Sequence, residues 1–260
     1  MSPGVVVAAE RRPEFYSVAG LLVRITPVNA GFHDFCRDFL ADGSSREPDI
    51  EIEMTGRDID AERRRSPDGQ AGYSDRYIET LAVCRKLSEI MPSFGRFLMH
   101  GSAIAVDGEG YLFTAPSGTG KSTHARFWRE MLGDRAVMVN DDKPFVGIEG
   151  GKATVYGSPW NGKHRLGSNI AVPLKAVCVL GRAEENSIEE ITAAEAMPTL
   201  IRQIYRPDSP AMLAATLRLI DRLAGSVGLF RLGCNLDPAS AAVSYEMMKL
   251  YNRSERQVSK

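Results

Sequence analysis

The stretch YLFTAPSGTGKST, residues 111–123, joins an apolar run to a glycine-rich turn and to the start of a helical pattern. From Ala115 to Ser122 it matches the phosphate-loop pattern GxxxxGK[ST], except that an alanine takes the place of the first glycine. The two glycines inside it allow backbone conformations that aim successive N–H groups inward, and a helix that opens at Lys121 adds the positive end of its dipole. The stretch therefore predicts a strand, a loop and a helix around a cavity for phosphate oxygens.

The side chains of this loop have separate predicted roles. Lys121 would reach the β- and γ-phosphates of a nucleoside triphosphate, taken to be ATP, and the Ser122 hydroxyl would ligate Mg²⁺. The alternative is a glycine-rich turn from strand to helix that binds no ligand. The predicted nucleotide-binding residues are Ser117, Gly118, Thr119, Gly120, Lys121, Ser122 and Thr123.

Two adjacent carboxylates, Asp141 and Asp142, directly follow the apolar run AVMVN at 136–140. In phosphate-loop proteins an acidic residue at such a strand end holds Mg²⁺, and a second carboxylate could take the proton of an attacking hydroxyl. The pair would equally suit a chain reversal before Lys143-Pro144. Their spacing does not separate the two interpretations.

Two further segments supply candidate site residues. His100 stands at the end of an apolar run, where a histidine is more often a hydrogen-bonded core residue than a catalyst. The stretch GSPWNGKH, residues 157–164, combines turn-forming residues with an aromatic side chain, Trp160, and a cation, Lys163, as an active-site loop would. A plain surface loop fits its composition equally well.

The composition is that of an ordinary globular protein. Lys and Arg number 32 against 33 for Asp and Glu, which gives a net charge of −1 and removes the main electrostatic reason to expect nucleic-acid binding. The four cysteines show no CxxC spacing, so reduced thiols are expected. No run approaches the roughly 20 apolar residues of a membrane span. We therefore expect a cytoplasmic protein that binds neither nucleic acid nor membrane.

The amino-terminal part predicts a small α+β domain over residues 1–75. The patterns predict strands at 5–9, 15–26 and 49–54, a helix at 31–41 and a polar linker at 56–75. A helix at 76–91 then opens a larger domain, residues 76–260.

The sequence patterns of the larger domain predict an α/β fold. The patterns predict strands at 97–106, 111–115, 136–140, 174–180 and 227–234, hairpin turns at 107–110 and 149–152, and helices at 121–132, 193–205, 210–224 and 238–251.

Residues 99–148, with MHGSAIAVDGEGYLFTAPSGTGKST followed by VMVNDDKPFVGI, resemble the catalytic domain of the HPr kinase/phosphorylase family. That family has His-Gly, a hairpin, a GxSGxGKS loop and Asp-Asp after an apolar strand, in this order. The resemblance implies a P-loop fold with a mixed sheet, like that of phosphoenolpyruvate carboxykinase and HPr kinase. It also implies transfer of a phosphoryl group from ATP to a serine hydroxyl.

By the same resemblance, Asp141 is the general base, Asp142 a metal or proton-relay partner, and His100 a group near the transferring phosphate. HPr kinases form oligomers, so a homo-oligomer is implied. The Glu-Arg-Gly signature of the family has no counterpart in GSPWNGKH beyond a cation, Lys163, which argues against HPr as the acceptor and against phosphorylase activity. GSPW and NDDKP are more similar to HPr kinase-like proteins of modified-peptide biosynthesis, where a serine of a precursor peptide is phosphorylated.

We therefore predict a kinase that uses ATP and Mg²⁺ to phosphorylate a serine hydroxyl of a peptide or protein, with residues 1–75 recognising the acceptor. One alternative is a kinase of a free small molecule such as an amino acid, whose carboxylate Arg202, Arg206 or Lys163 could bind. Another is a regulatory protein that senses ATP without transferring phosphate. Carboxykinase chemistry on oxaloacetate ranks last, because the chain is short for that enzyme group and shows no second metal site.

Overall fold

The computed structural model describes residues 11–43, 46–65 and 72–252. Contacts divide the chain into two compact units, which fall within residues 1–87 and 88–260, whereas the sequence suggested a division after residue 75. The strand expected at 5–9 lies outside the described residues.

The smaller unit is built on a three-stranded sheet in the order β1-β2-β3, in which β1 and β2 are antiparallel and β2 and β3 parallel. Its elements are β1 (Glu14–Val18), β2 (Leu21–Thr26), α1 (Gly31–Phe35), β3 (Ile50–Glu53), α2 (Gly56–Arg64) and the greater part of α3 (Asp75–Ile90).

Two expectations for this unit are wrong in extent. The single strand expected at 15–26 is a hairpin, because Ala19 and Gly20 have φ of 52° and 75° and reverse the chain between β1 and β2. The helix expected at 31–41 ends at Phe35 and gives way to a short 3₁₀ turn.

The linker expected from residue 56 is also wrong over its first half, where α2 lies. Thr55 begins this helix with a capping box, in which its backbone N–H donates to the Asp58 carboxylate at 2.8 Å. A short polar segment with a good cap thus forms a helix despite its few apolar residues.

The larger unit contains a mixed sheet, with nine strands among the described residues, and helices on both of its faces, which confirms the α/β class. Its strands are β4 (Arg96–Leu98), β5 (Ser102–Val106), β6 (Glu109–Thr114), β7 (Ala136–Asn140), β8 (Phe145–Glu149), β9 (Lys152–Tyr156), β10 (Ala171–Arg182), β11 (Ser187–Glu190) and β12 (Gly228–Cys234), and its helices α4 (Lys121–Leu132), α5 (Ala193–Gln203), α6 (Pro210–Ala224) and α7 (Ala239–Lys249). No helix in the described part of the chain is long and apolar enough to cross a membrane.

Alternate residues of the strands enter two cores, one on each face of this sheet. In β5, Ala103 and Ala105 pack with residues of α5 and α6, whereas Ile104 and Val106 pack with residues of α4 and α7. This follows from the two-residue period of a strand, and it explains why β5 is apolar throughout most of its length.

The strand expected at 97–106 is interrupted after β4. The backbone N–H of Met99 donates to the Pro144 carbonyl at 3.0 Å, and that of Gly101 donates to the Asp142 carbonyl at the same distance. A Cβ at Gly101 would lie 2.8 Å from the Phe113 carbonyl oxygen, so this close crossing requires glycine. The interruption places His100 between two strands, beside residues 142–144.

Strand direction brings several chain segments to one edge of the sheet. β6 and β10 are parallel, and β5 is antiparallel to both β6 and β7, so β6, β7 and β10 all run the same way. Their carboxyl ends therefore share an edge, where the start of β5 also lies. Ligands of open α/β sheets bind outside such carboxyl ends.

Candidate active site

The glycine-rich loop joins the end of β6 to the start of α4. Gly118 and Gly120 have φ of 76° and 113°, and no atom lies within 4 Å of the position that a Cβ would take at either residue. The loop is held by Thr119, whose Oγ1 donates to the Pro116 carbonyl oxygen at 2.9 Å. The turn that the pattern predicts is therefore present, with open space beside both glycines.

Ala115, which replaces the first glycine of the pattern, is fully buried and packs in the core beside α4. Its backbone lies outside the left-handed region, so no glycine is required there. Of the hydroxyl residues predicted to meet the nucleotide, Ser117 and Ser122 are exposed, and Thr119 and Thr123 are partly exposed.

Lys121, the first residue of α4, folds back over the loop. Its Nζ donates to the carbonyl oxygens of Ala115 at 2.9 Å and of Pro116 at 3.2 Å, and the residue is only 7% exposed. Burial lowers the pKa of Lys121, and the nearby charges of Asp142 and Asp141 oppose this effect. Among the described residues, no carboxylate lies within ion-pair distance of this ammonium group.

The two adjacent carboxylates have different partners. Asp141 Oδ1 accepts a hydrogen bond from Ser102 Oγ at 2.7 Å, so the partner of this carboxylate is a neutral hydroxyl. Asp142 Oδ2 lies 2.5 Å from Lys143 Nζ, and its Oδ1 lies 3.6 Å from His100 Nε2. Both aspartates are partly exposed and can therefore meet a ligand.

His100 is fixed by the last residue of α5. Its Nδ1 lies 2.9 Å from Gln203 Oε1, and its backbone N–H donates to the Gln203 carbonyl at 2.6 Å. Burial lowers the pKa of His100, with further lowering by Lys121 and Lys143, against the opposing effects of Gln203 and Asp142. The other ring nitrogen, Nε2, faces Asp142 Oδ1.

The loop between β9 and β10 packs against the aspartate turn. A Cβ at Gly162 would lie 3.4 Å from Asp142 Cβ and 3.5 Å from the Asp141 carbonyl oxygen. Lys163 is exposed, whereas Trp160 is only 4% exposed.

The structure thus brings the candidate residues His100, Lys121, Asp141 and Asp142 into one neighbourhood. It adds residues that the sequence patterns did not indicate, namely Ser102, Asn140, Gln203 and Arg182. Arg182 ends β10, and its Nη2 donates to the Gly118 carbonyl oxygen at 2.7 Å. The one signal that could have indicated Arg182 is its position at the end of β10, at the edge of the sheet where β6 also ends. Arg202 and Arg206, the alternative carboxylate ligands, lie at or just after the end of α5 and keep part of their surface open to solvent.

The donor set suits a metal ion that arrives with phosphates. Within the described residues, no group of three or more His, Cys, Asp or Glu side chains could hold a metal ion by itself. Mg²⁺ in phosphate-transfer sites is bound by one or two protein oxygens together with phosphate oxygens and water. The hydroxyl of Ser122 and the carboxylate of Asp142 could supply those one or two protein oxygens.

Comparison of the chain with protein-family models and with curated proteins gives no match. Among solved structures, one similar to it is the Hpr(Ser) kinase/phosphatase from Coxiella burnetii, with 13% sequence identity over 48% of this chain and 90% of that chain, and a TM-score of 0.29. A likeness of this size assigns neither a fold nor a function.

Proposed function

We propose that this protein is a kinase that transfers the γ-phosphoryl group of ATP to a serine hydroxyl of a peptide or protein. The observation that carries the proposal is Lys121, a buried ammonium group at a glycine-rich helix start that contacts carbonyl oxygens and no carboxylate of the described residues. A buried cation that makes no ion pair is costly, and a polyphosphate bound at this loop would offset that cost.

The phosphates would be bound by backbone N–H groups of residues 117–121 and by the start of α4, with Lys121 on the β- and γ-phosphates. Ser122 and Asp142 would hold Mg²⁺, which when bound neutralises phosphate charge and orients the γ-phosphate. Arg182 extends the cationic surface at Gly118.

Asp141 is the proposed general base. Its Oδ1 is oriented by Ser102, and the carboxylate is open enough to meet a hydroxyl. The serine oxygen forms a bond to the γ-phosphorus as the bond from that phosphorus to the β–γ bridging oxygen breaks. The hydroxyl proton passes to Asp141, and ADP leaves with the bridging oxygen. His100 Nε2 lies 3.6 Å from Asp142 Oδ1, which places this imidazole at the edge of the site as the proposed group near the transferring phosphate.

The experiment incubates the full chain with Mg-ATP and serine-containing peptides, and reads intact masses for one added phosphate. We expect addition by the wild type, no addition by Lys121→Ala, and only slow residual addition by Asp141→Asn. Calorimetry should show that only Lys121→Ala abolishes nucleotide binding. Matched controls are Lys175→Ala and Asp107→Asn, since these residues form ion pairs with Glu109 and Arg135 away from the glycine-rich loop.

Three results would contradict the proposal. Failure of Mg-ATP to bind would remove its basis. If Mg-ATP binds but no acceptor gains a phosphate, and if Asp141→Asn keeps the regulatory function of the wild type, an ATP-sensing regulator would be favoured. Phosphate found only on a free amino acid would favour the small-molecule kinase.

A further inference from the structure

Asn140, the last residue of β7, is fully buried and uses its whole amide group. Its Oδ1 accepts from the backbone N–H groups of Asp142 at 2.8 Å and of Lys143 at 2.7 Å. Its Nδ2 donates to the carbonyl oxygen and to the Oγ of Ser158, both at 3.0 Å. An asparagine side chain has two donors and one acceptor oxygen with two lone pairs, so all four hydrogen bonds are made.

These contacts link two chain segments that are remote from each other along the sequence. The Oδ1 contacts form an Asx turn that sets the backbone of the aspartate pair. The Nδ2 contacts attach that turn to the segment 157–170, and Ser158 Oγ closes the connection by donating to the Lys143 carbonyl at 2.7 Å. One buried side chain therefore fixes the proposed base relative to the candidate active-site loop that contains Trp160 and Lys163.

The base of the loop is itself tightly held, so the link has a firm anchor. The N–H of Gly157 donates to the Ile170 carbonyl at 2.9 Å, and that of Ser168 donates to the Val139 carbonyl at 3.2 Å. A Cβ at Gly157 would lie 1.8 Å from the Ser168 carbonyl oxygen, which shows how closely the two ends of the loop approach.

We propose that Asn140 is a positioning residue for phosphoryl transfer: it holds Asp141 and Asp142 in register with the loop 157–170. This role rests on the proposed kinase function. Asn140 is buried and makes no bond in the reaction, so it acts through the aspartates. The register matters because a displacement of about 1 Å between a base and its substrate can lower the rate about 100-fold.

The two halves of the Asn140 amide can be tested separately. Asn140→Ala removes both sets of contacts. Asn140→Asp keeps an acceptor for the N–H groups of Asp142 and Lys143 but places a carboxylate oxygen against the Ser158 carbonyl, so a repulsion replaces the link to the loop. Ser158→Ala is the mildest change, because the carbonyl of Ser158 remains.

The first measurement compares kcat for peptide phosphorylation with the Kd for Mg-ATP. We expect Asn140→Ala to lower kcat on the order of 100-fold and to leave the Kd within about twofold, with smaller losses of kcat in Asn140→Asp and Ser158→Ala. In the Asp141→Asn background, Asn140→Ala should add almost nothing, because the group it positions is gone. Thr192→Ala, which removes a helix cap at the start of α5, controls for lost stability and should keep the wild-type kcat.

The second measurement is hydrogen exchange at the amides of Asp142 and Lys143. Exchange should become faster in Asn140→Ala and stay slow in Asn140→Asp. Wild-type kcat in Asn140→Ala, or additive losses with Asp141→Asn, would overturn the positioning role while the kinase proposal stands. Absence of phosphoryl transfer by the wild type would overturn both. Loss of kcat in Asn140→Ala without faster exchange at these two amides would also contradict the role.

Discussion

The lysines at the glycine-rich loop and at the aspartate turn differ in whether a carboxylate pairs with the ammonium group. Lys143 is paired with Asp142, whereas Lys121 is held only by carbonyl oxygens within the described residues. Because an unpaired buried ammonium group raises the free energy of the folded state, an anion that reaches Lys121 recovers part of that cost. The pairing pattern thus favours an anionic ligand at Lys121.

A second buried side chain on α4, His124, makes a pH-dependent contribution to stability. Its Nε2 lies 3.0 Å from Ser244 Oγ on α7, and burial lowers its pKa from 6.5 to about 4. Between these values the unfolded chain binds a proton that the folded chain does not. The free energy of unfolding should therefore rise with pH across this window, by about 3 kcal/mol in all, and this residue should add no slope above it.

Urea unfolding of the wild type and of His124→Gln, followed from about pH 5 to about pH 8, isolates this contribution. The variant should lose much of the slope on the acid side of neutrality, because glutamine does not titrate. Equal slopes for the two proteins would show that His124 is not held neutral by burial.

Sequence patterns could predict the residues that a motif names and not those that support them. Lys121 and the aspartate pair follow from the loop pattern and from a carboxylate pair at a strand end. Gln203 is 103 positions from His100 along the chain, so their hydrogen bond depends on where α5 ends against the sheet. Asn140 lies in the stretch that carries the family resemblance, yet spacing alone does not tell which way its amide points.

At the scale of elements, direction and order of strands create the site. Most strands and helices of the larger unit could be predicted from apolar periodicity, because each buries one or two faces in the cores beside the sheet. The order β6-β5-β7 could not, since β5 pairs with both neighbours and shares its hairpin only with β6. Without that order, the closeness of the glycine-rich loop and the aspartate turn remains a hypothesis.

The glycine-rich loop and the far end of the same helix offer a matched pair of glycine variants. Gly120 precedes α4 with φ of 113° and Gly133 follows it with φ of 57° and ψ of −134°, and no atom lies within 4 Å of the place that a Cβ would occupy at either residue. Alanine should therefore cost each site about 1 to 3 kcal/mol of stability through backbone strain alone. Only Gly120→Ala should also weaken Mg-ATP binding, by about tenfold or more, or about 1.4 kcal/mol.

Calorimetry with Mg-ATP and urea unfolding of both variants make this comparison. Similar losses of stability with a lower affinity only in Gly120→Ala would assign the nucleotide to the loop. An equal drop in affinity in Gly133→Ala would mean that general destabilisation of α4 explains the effect.

At the scale of the whole molecule, every candidate nucleotide-binding and catalytic residue lies in the unit within residues 88–260. The smaller unit has its own internal polar network. Glu79 is fully buried, and its carboxylate accepts from the backbone N–H groups of Val28 at 2.6 Å and Asn29 at 3.0 Å, and from Asn29 Nδ2 at 2.7 Å. Removal of this carboxylate leaves three N–H donors without their acceptor, and it should destabilise the smaller unit by roughly 3 kcal/mol.

Glu79→Ala therefore tests the proposal that the smaller unit recognises the acceptor. The affinity for Mg-ATP, measured by calorimetry, should stay at the wild-type value, because the loop and its lysine belong to the other unit. Phosphorylation of the peptide acceptor should fall through a higher KM, as the unit that would hold the acceptor loosens. Glu51→Ala removes an exposed carboxylate that lies 3.4 Å from Arg24, and it should change neither quantity, since exposed pairs contribute little. Weaker nucleotide binding in Glu79→Ala, or an unchanged KM for the acceptor despite lost stability, would contradict this division of labour.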